Sequence, residues 1–442
     1  MNITTEPLEN RQLRLTIELD DEQTQQAMRK AARKISKQAN IPGFRKGKAP
    51  YELVLQRYGE ETIRQEAADD MVAQVFAQAM VEQEIEPYAP ALLENTTLDP
   101  ITFEFLISLF PSVDLGDYRA YRLKYPKVRV YKKDIQRALE EIREQNAILE
   151  PAERPVALGD GAIVDIEGWA GDNQVVGAND MRIILNAAST DPAPGFAQAI
   201  VGMEPGEERT FTLPLPDDFP HEDLRGRETR FTVKLKEVYD STLPDLDDDL
   251  ARATGNFDSL KELEAYIKER LREKAQQEID SQYTTQVTDT IVEQAQIEYP
   301  PDALAEALDD VLQEFEQEIK QKTRFSLEDY ARLQGRTLED IRDDLEPIAR
   351  SRLERALVLG RVVELENLQV EDDEITEHIE SISTRWGDKA ADVRKSLGSK
   401  TGRAGVANYL LAQKAVQRLV AIAKGEAPEL VIEETEKEEQ GE

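Results

Sequence analysis

Apolar and polar residues follow two different periods near the start of the chain. In residues 11–20 every second side chain is apolar: Leu13, Leu15, Ile17 and Leu19. This alternation predicts a half-buried strand. Residues 21–40 instead have apolar side chains at helical spacing, and Pro42 and Gly43 end the run. A strand followed directly by an amphipathic helix is therefore expected.

Apolar residues continue to follow either helical or alternating spacing to about residue 115. A helical spacing of apolar positions begins at Pro50 and extends to about Ile85, and ITFEFLISLF at 101–110 has the composition of a strand. Residues 1–115 are thus predicted to form an α+β domain.

Four further segments differ from this domain and from one another. Residues 116–154 combine an extended basic-aromatic connector, up to residue 131, with a short amphipathic helix, and a loop rich in Pro and Gly follows at 150–160. Residues 155–240 contain short β-like runs divided by turns, which predicts a small β domain. From residue 241 to 425 the apolar spacing is helical, and residues 426–442 form an acidic tail expected to be disordered.

One helix in this last region is expected to be unusually long. Its apolar stripe recurs about every four residues: Leu263, Ile267, Leu271, Ala275, Ile279, Tyr283, Val287 and Ile291. A stripe this narrow cannot fill a wide core, so extended helical arms are expected. The predicted fold class is multidomain α+β, with an α+β head, a small antiparallel β domain and an elongated all-helical C-terminal domain.

Composition excludes several kinds of chemistry. The 442 residues have a formal net charge of −34 and no cysteine, which excludes disulfides and thiolate sites. The two histidines, His221 and His378, lie far apart in sequence, so neither a metal nor a cofactor is expected. No signal peptide and no apolar run of membrane-spanning length is evident, which favours a cytoplasmic protein that binds no membrane. The motif GxxxxGK[ST] of nucleotide-binding loops does not occur.

Against this acidic background there is one basic region that stands apart. No acidic residue occurs between Glu22 and Glu52, and the stretch holds eight cations: Arg29, Lys30, Arg33, Lys34, Lys37, Arg45, Lys46 and Lys48. Helical geometry places Lys30, Arg33, Lys34 and Lys37 opposite the apolar stripe. Phe44 lies in the following loop between two glycines. From the residues alone, either a solvated helix face or a docking loop for something acidic is consistent with this pattern.

The stretch GFRKGKAP, residues 43–50, resembles the ribosome-docking signature of the trigger factor family of bacterial nascent-chain chaperones. The order of domains is similar to that family over practically the full chain. The resemblance implies docking to the large ribosomal subunit at the polypeptide exit, through a ribosomal protein and neighbouring RNA. Phe44, Arg45 and Lys46 match the docking triplet, Gly43 would let the loop turn, and Lys37 lies on the cationic helix face.

Residues 155–240 resemble the FKBP class of peptidyl-prolyl isomerases through GDGAIVDIEGWAGD, PAPGFAQAIVGMEPGE and LPDDFPHEDLRGRETRFTVKL. The resemblance implies a proline pocket built from Phe196, Phe219 and Phe231, and the alternative is that these three are ordinary core residues. Ile166 and Val175 stand where the family usually has aromatic residues, and Ala193 replaces a larger aliphatic one. Weak or absent isomerase activity is therefore expected. Trp169 is the candidate for compensation, although it stands one residue too late in the motif.

The function implied is an ATP-independent chaperone for nascent and unfolded polypeptides, with no DNA partner and with weak homodimerisation left open. Three alternatives are weighed against it. They are a folding catalyst whose main activity is prolyl isomerisation, a secreted helical chaperone with an isomerase domain, and an RNA-binding protein. The reduced proline pocket argues against the folding catalyst, and the missing signal peptide argues against the secreted chaperone. An RNA-binding protein would not explain about 200 residues of acidic helix.

Overall fold

The computed structural model describes residues 1–39, 41–171, 173–187, 189, 191–216, 219, 224–255 and 257–429. The chain forms two compact units, and the first is discontinuous in sequence. It comprises Met1–Tyr125 and Ser281–Glu442, while Pro126–Asp280 form the second. None of the helices in the described ranges is long and apolar enough to span a membrane.

The N-terminal part of the first unit, the head, is a four-stranded antiparallel sheet with three helices. Its strands are β1 (Asn2–Pro7), β2 (Gln12–Glu18), β3 (Leu92–Leu98) and β4 (Ile101–Ser108), in the order β1-β2-β4-β3. Its helices are α1 (Asp21–Gln38), α2 (Tyr51–Tyr58) and α3 (Glu60–Glu82). The predicted alternation of β2 is confirmed, because Leu13, Leu15 and Ile17 are buried while their neighbours are not.

Two features of the head differ from the sequence-based expectation. The single helix expected from Pro50 to Ile85 is two helices, because Gly59 adopts a φ of +84° between them. The edge strands β1 and β3 are not in the sequence-based prediction. Most of their residues are exposed, so they lack the alternation of apolar and polar side chains that marks a half-buried strand.

The rest of the first unit, the helical body, is built from helices and one small sheet. Strand β5 (Ser112–Asp114) pairs antiparallel with β11 (Gln296–Glu298). The helices are the end of α7 (Leu260–Gln294), α8 (Pro301–Thr323), α9 (Leu327–Leu333), α10 (Leu338–Leu365), α11 (Asp372–Thr384), α12 (Ala390–Leu397) and α13 (Lys400–Lys424). The long helix expected from the apolar stripe is confirmed as α7.

The main core of the helical body includes residues that the sequence analysis assigned to a connector. Leu115 and Tyr118 are buried among side chains of α7, α10 and α13. The backbone N–H of Leu123 donates to the carbonyl of Ala423 at 3.0 Å. The segment 115–123 therefore packs as part of the helical body, whereas the sequence analysis ended the first domain at 115 and began a connector there.

The second unit contains a five-stranded antiparallel sheet and helices beside it. Its elements are α4 (Lys132–Gln145), β6 (Ile148–Ala152), β7 (Gly161–Ala170), β8 (Asn173–Ile184), α5 (Phe196–Ile200), β9 (Glu208–Pro214), β10 (Glu228–Thr242) and α6 (Asp248–Thr254). Strand β10 is central: β7 lies on one side of it and β6 and β9 on the other. The sheet thus begins at Ile148, earlier than the expected domain start at 155, because the exposed, proline-containing β6 gives no strand signal.

Candidate functional site

The basic loop after α1 is fixed at both ends and exposed in between. At its start, Ile41 is buried in the head core and its carbonyl accepts a bond from the N–H of Phe44 at 3.2 Å. At its end, the N–H of Gly47 donates to the carbonyl of Ser36 in α1 at 2.8 Å. Gly43 and Gly47 have φ values of +87° and +77°, a region that favours glycine. The loop is therefore a short double turn rather than an open excursion.

The residues at the tip of this loop point into solvent. The side chain of Phe44 is 40% exposed, although an aromatic ring of this size is normally covered. Arg45 and Lys46 are exposed and, among the described residues, form no ion pair. The structure thus brings together Gly43, Phe44, Arg45 and Lys46 as one protruding surface, which we call the docking tip.

One of the eight cations in the basic region has a structural role instead. Lys34 Nζ lies 2.6 Å from a carboxylate oxygen of Glu66 and 2.5 Å from one of Asp70, both on α3. Hydrogen bonds that Lys34 donates to Asp70 and, less strongly, to Glu66 raise the pKa of Lys34 above its ordinary value. Lys34, which the sequence analysis placed with the other cations of this face, is therefore engaged by α3.

The other seven cations of the basic region are available to contact a partner. Within the described ranges, none of them has a carboxylate close enough to form an ion pair. They are exposed: Arg29, Lys30, Arg33, Lys37, Arg45, Lys46 and Lys48. Lys37 also lies against the docking tip, because a Cβ at Gly47 would come within 2.7 Å of its Cγ. This surface can bind phosphates or carboxylates without first breaking internal ion pairs.

In the β domain, two of the three expected pocket residues are core residues. Phe196 is 2% exposed and Phe231 is fully buried, and their ring centroids lie 5.7 Å apart in an edge-to-face arrangement. Phe211, which the sequence analysis did not single out, completes the cluster at 5.6 Å from Phe196 and 6.0 Å from Phe231. Phe211 lies opposite Phe231 in the pairing of β9 with β10. The sequence alone does not reveal this pairing, so it could not identify Phe211 as a member of the cluster.

Phe219 lies at the border of this cluster. It is half-buried against the same core, its N–H donates to the carbonyl of Pro216 at 3.1 Å, and its carbonyl accepts from Arg225 Nε at 2.9 Å. The aromatic surface that a proline ring can reach thus belongs to Phe211 and Phe219, which are partly exposed, rather than to Phe196 and Phe231.

The structure does not allow Trp169 to compensate for the smaller pocket residues. Along β7, residues on the face of Ile166 and Gly168 are buried, and Trp169 lies on the other face, paired with Arg230. Gly168 is required beneath the aromatic cluster, because a Cβ there would lie 2.9 Å from the Phe231 ring. The expectation that Trp169 fills the pocket is therefore wrong, while Ile166 and Ala193 are buried where the family would have larger walls.

The helical body exposes large apolar side chains without gathering them into one site. Examples with at least two-fifths of their surface exposed are Phe325, Leu333, Ile348, Trp386 and Tyr409. They are spread over α10, α13 and the shorter segments beside them. The structure thus shows exposed apolar side chains on several elements of the helical body.

Of the two histidines, only His378 lies among the residues that the structure describes. His221 lies outside the described residues, and His378 packs beside Tyr409 with ring centroids 5.4 Å apart. No cluster of three or more potential metal-ligating side chains occurs among the described residues.

Comparison with protein families finds three matching regions. Residues 1–142 match the family described as bacterial trigger factor protein, and residues 259–421 match its C-terminal family. Residues 152–236 match the FKBP-type peptidyl-prolyl cis-trans isomerase family. The three matches together cover both units.

Curated relatives match over nearly their full length. A trigger factor of Dehalococcoides mccartyi (strain CBDB1) is 29% identical over 443 residues, covering 100% of this chain and 99% of the relative. A trigger factor of Pelotomaculum thermopropionicum is 30% identical over 428 residues, covering 96% and 98%. A solved structure, described for promiscuous substrate recognition by the trigger factor chaperone, superposes with a TM-score of 0.52 at 21% identity. It covers 95% of this chain and 99% of that one, which supports the same fold.

Proposed function

The chain belongs to the trigger factor family, and from this premise we propose that it is an ATP-independent chaperone that docks on the large ribosomal subunit at the polypeptide exit. There it shields nascent chains in the cytoplasm. The observation that supports docking is the docking tip: Phe44, Arg45 and Lys46 are exposed together on a loop fixed by Ile41 and Gly47.

The charge distribution supports this assignment in a second way. A chain of net charge −34 is repelled by ribosomal RNA over most of its surface. The seven cations of α1 and its loop that form no ion pair with any described residue supply the local exception, and the exposed Phe44 supplies an apolar anchor that a partner would desolvate. The contact should weaken with salt, because cations that neutralise phosphates release counterions.

The test is co-sedimentation of the full chain with ribosomes at low salt. The variant Phe44→Ala/Arg45→Ala/Lys46→Ala is expected to lose at least about 90% of the sedimenting protein, since a hot-spot cluster supplies several kcal/mol. A matched control is Phe325→Ala/Arg324→Ala/Lys322→Ala, which removes the same three residue types from the exposed last turn of α8 and the two residues that follow it. Equal sedimentation of both variants and the parent chain would refute docking through this loop.

The chaperone part of the proposal rests on the exposed apolar side chains of the helical body. They are spread over several helices, so that an unfolded segment contacts few of them at once, binds weakly and leaves without ATP. The β domain can be removed cleanly to test this, because Ile148 pairs with Thr242 and the two chain ends therefore lie side by side. A chain in which residues 148–242 are replaced by a short glycine linker is expected to keep suppressing client aggregation.

We further propose that the FKBP-type domain has weak or no isomerase activity in this protein. A prolyl isomerase needs an open apolar cup that removes water from the rotating amide. Phe196 and Phe231 are buried against each other, and Ile166 and Ala193 give small walls. Activity on a short prolyl peptide equal to that of an ordinary FKBP would contradict this proposal.

A further inference from the structure

A second basic segment, residues 126–133, has no part in the function proposed above. Its sequence is PKVRVYKK, with four cations and no acid, in a chain with an excess of acidic residues. Among the described residues none of the four forms an ion pair: Lys127, Arg129, Lys132 and Lys133. A cluster of unpaired cations in an acidic chain is an unusual arrangement that calls for a partner.

The backbone of this segment displays its cations in a regular row. Residues 127–131 alternate between exposed and half-buried, with Lys127, Arg129 and Tyr131 outward and Val128 and Val130 turned in. The outward side chains are therefore every second residue along the segment, a line of two cations and one ring. Within the described ranges, no backbone hydrogen bond with another segment covers residues 127–130. The line therefore faces solvent as an uncovered edge.

The line ends at the N-terminus of α4, where two more cations stand. Lys132 and Lys133 occupy the first turn, where the positive end of the helix dipole disfavours cations. Tyr131 precedes them with 53% of its surface exposed, and Lys133 Nζ lies 5.8 Å from the centroid of its ring. The helix itself is held by Leu139 in a core with Leu263 and Ile267. A rigid element thus presents an aromatic ring and several cations together.

We propose that residues 126–133 form a second ribosomal contact, which binds RNA. Lys127, Arg129 and Lys132 bind backbone phosphates, and a base stacks on Tyr131. Interleaved cations and an exposed aromatic ring are the features by which proteins bind single-stranded RNA. The proposal rests on the proposed function in one respect, that the RNA is ribosomal.

The chemistry of the segment favours RNA over an acidic polypeptide. Its outward side chains are cationic except for one ring, and both valines point inward, so it offers no apolar groove for client side chains. An exposed aromatic ring with cations beside it matches a nucleotide, which has both a phosphate and a stacking face.

The experiment measures binding of the full chain to a fluorescent single-stranded oligouridylate of about 20 nucleotides at low salt, with polyglutamate of similar length as a second probe. The test variant is Lys127→Ala/Arg129→Ala. The control, Lys261→Ala/Lys268→Ala, removes two exposed cations from α7 and changes the net charge equally. We expect a loss of RNA affinity of about tenfold for the test variant, a salt slope smaller by roughly 1.4, and less than twofold change for the control.

Tyr131 separates stacking from simple charge attraction. Tyr131→Phe is expected to keep the affinity for RNA, and Tyr131→Ala to lower it about fivefold without affecting the weak binding of polyglutamate. Equal affinity of the test and control variants for RNA would overturn the proposal. Equal losses for RNA and polyglutamate would overturn the choice of RNA and indicate an acidic protein partner.

The naked RNA probe separates this proposal from the function proposed above. If the docking-tip variant sediments with ribosomes as the parent does, docking through the loop is refuted. RNA binding by residues 126–133 is then still tested independently by the oligouridylate measurement. If both hold, Lys127→Ala/Arg129→Ala made in the docking-tip variant lowers residual sedimentation further.

Discussion

Glu366 and Arg119 form a buried ion pair that joins the end of α10 to the segment after β5. The Arg119 Nε atom lies 2.8 Å from Oε1 of Glu366, whose side chain is fully buried. Arg418 on α13 donates to the other carboxylate oxygen at 2.6 Å, and the hydroxyl of Tyr118 donates to Oε1 at 2.7 Å. One carboxylate thus connects three parts of the helical body.

Removing this carboxylate charge should destabilise the helical body. Glu366→Gln leaves two arginines facing a neutral group, and we expect a loss of about 3 kcal/mol, because breaking a buried pair leaves an uncompensated charge. Hydrogen exchange in α10 and α13 measures the effect in the part of the chain concerned. Glu364→Gln, at an exposed neighbour paired with Arg361, should change exchange little.

The same group predicts a pH dependence. Burial acts to raise the pKa of Glu366, but hydrogen bonds from Tyr118, Arg418 and Arg119 outweigh it and lower the pKa below its ordinary value of 4.5. Because the folded state lowers this pKa, the stabilisation is present above about pH 4.5 and is lost as the pH falls through the folded pKa. The difference between the parent and Glu366→Gln should therefore be constant at neutral pH and shrink below pH 4.5. A difference that grows on acidification would contradict this assignment.

Lys34 and Lys37 should have opposite effects although they are three residues apart. Lys37→Ala is expected to lower ribosome affinity and reduce the salt slope by about one, with unchanged melting temperature. Lys34→Ala should lower the melting temperature of the head, since Lys34 contacts Glu66 and Asp70 on α3, with little effect on the salt slope. Sedimentation at several salt concentrations and thermal unfolding distinguish the two. Equal effects of both on the salt slope would mean that Lys34 also contacts the ribosome.

Gly47→Ala should weaken docking by displacing the loop. Its φ of +77° costs an alanine about 1–2 kcal/mol, and the new Cβ would lie 2.7 Å from Lys37 Cγ. Gly43→Ala meets the same backbone strain at +87° but has open space around its Cβ, so it is expected to lose less ribosome affinity. Co-sedimentation of both variants with ribosomes checks this order of affinities. If only the side chains of the docking tip determined the affinity, Gly43→Ala would lose more affinity than Gly47→Ala.

Any residual isomerase activity should depend on Phe211 rather than on Trp169. Phe211→Ala removes partly exposed aromatic surface beside the core, whereas Trp169 lies on the other face of β7. Prolyl-peptide kinetics are therefore expected to be unchanged in Trp169→Ala and reduced severalfold in Phe211→Ala. Phe231→Ala should instead unfold the β domain, with a cost of about 3–5 kcal/mol.

Local pattern was sufficient for much of the fold. The alternation in β2, the amphipathic spacing of α1 and the long stripe of α7 each depend on neighbours along the chain, and the structure confirms them. The loop residues Gly43 to Lys46 could be selected because their glycines and charges are adjacent in sequence.

What sequence missed depends on partners that are distant in the chain. The contacts of Lys34 come from α3, Phe211 joins the aromatic cluster through the pairing of β9 with β10, and Tyr118 is buried by α10 and α13. The strand β6 has no pattern of its own and is defined by β10. In each case the side chain has no local signal, so only the tertiary structure assigns its role.

The discontinuity of the first unit has a consequence for how the protein is made. The head core uses residues no later than Leu109, so it can close early during synthesis. Arg119, by contrast, donates to the carbonyl of Pro428, 309 residues further along the chain. While those residues are still being translated, the segment from β5 to Tyr125 lacks its packing partners. A newly made copy therefore displays a finished docking tip while much of its own body is still an unfolded nascent chain.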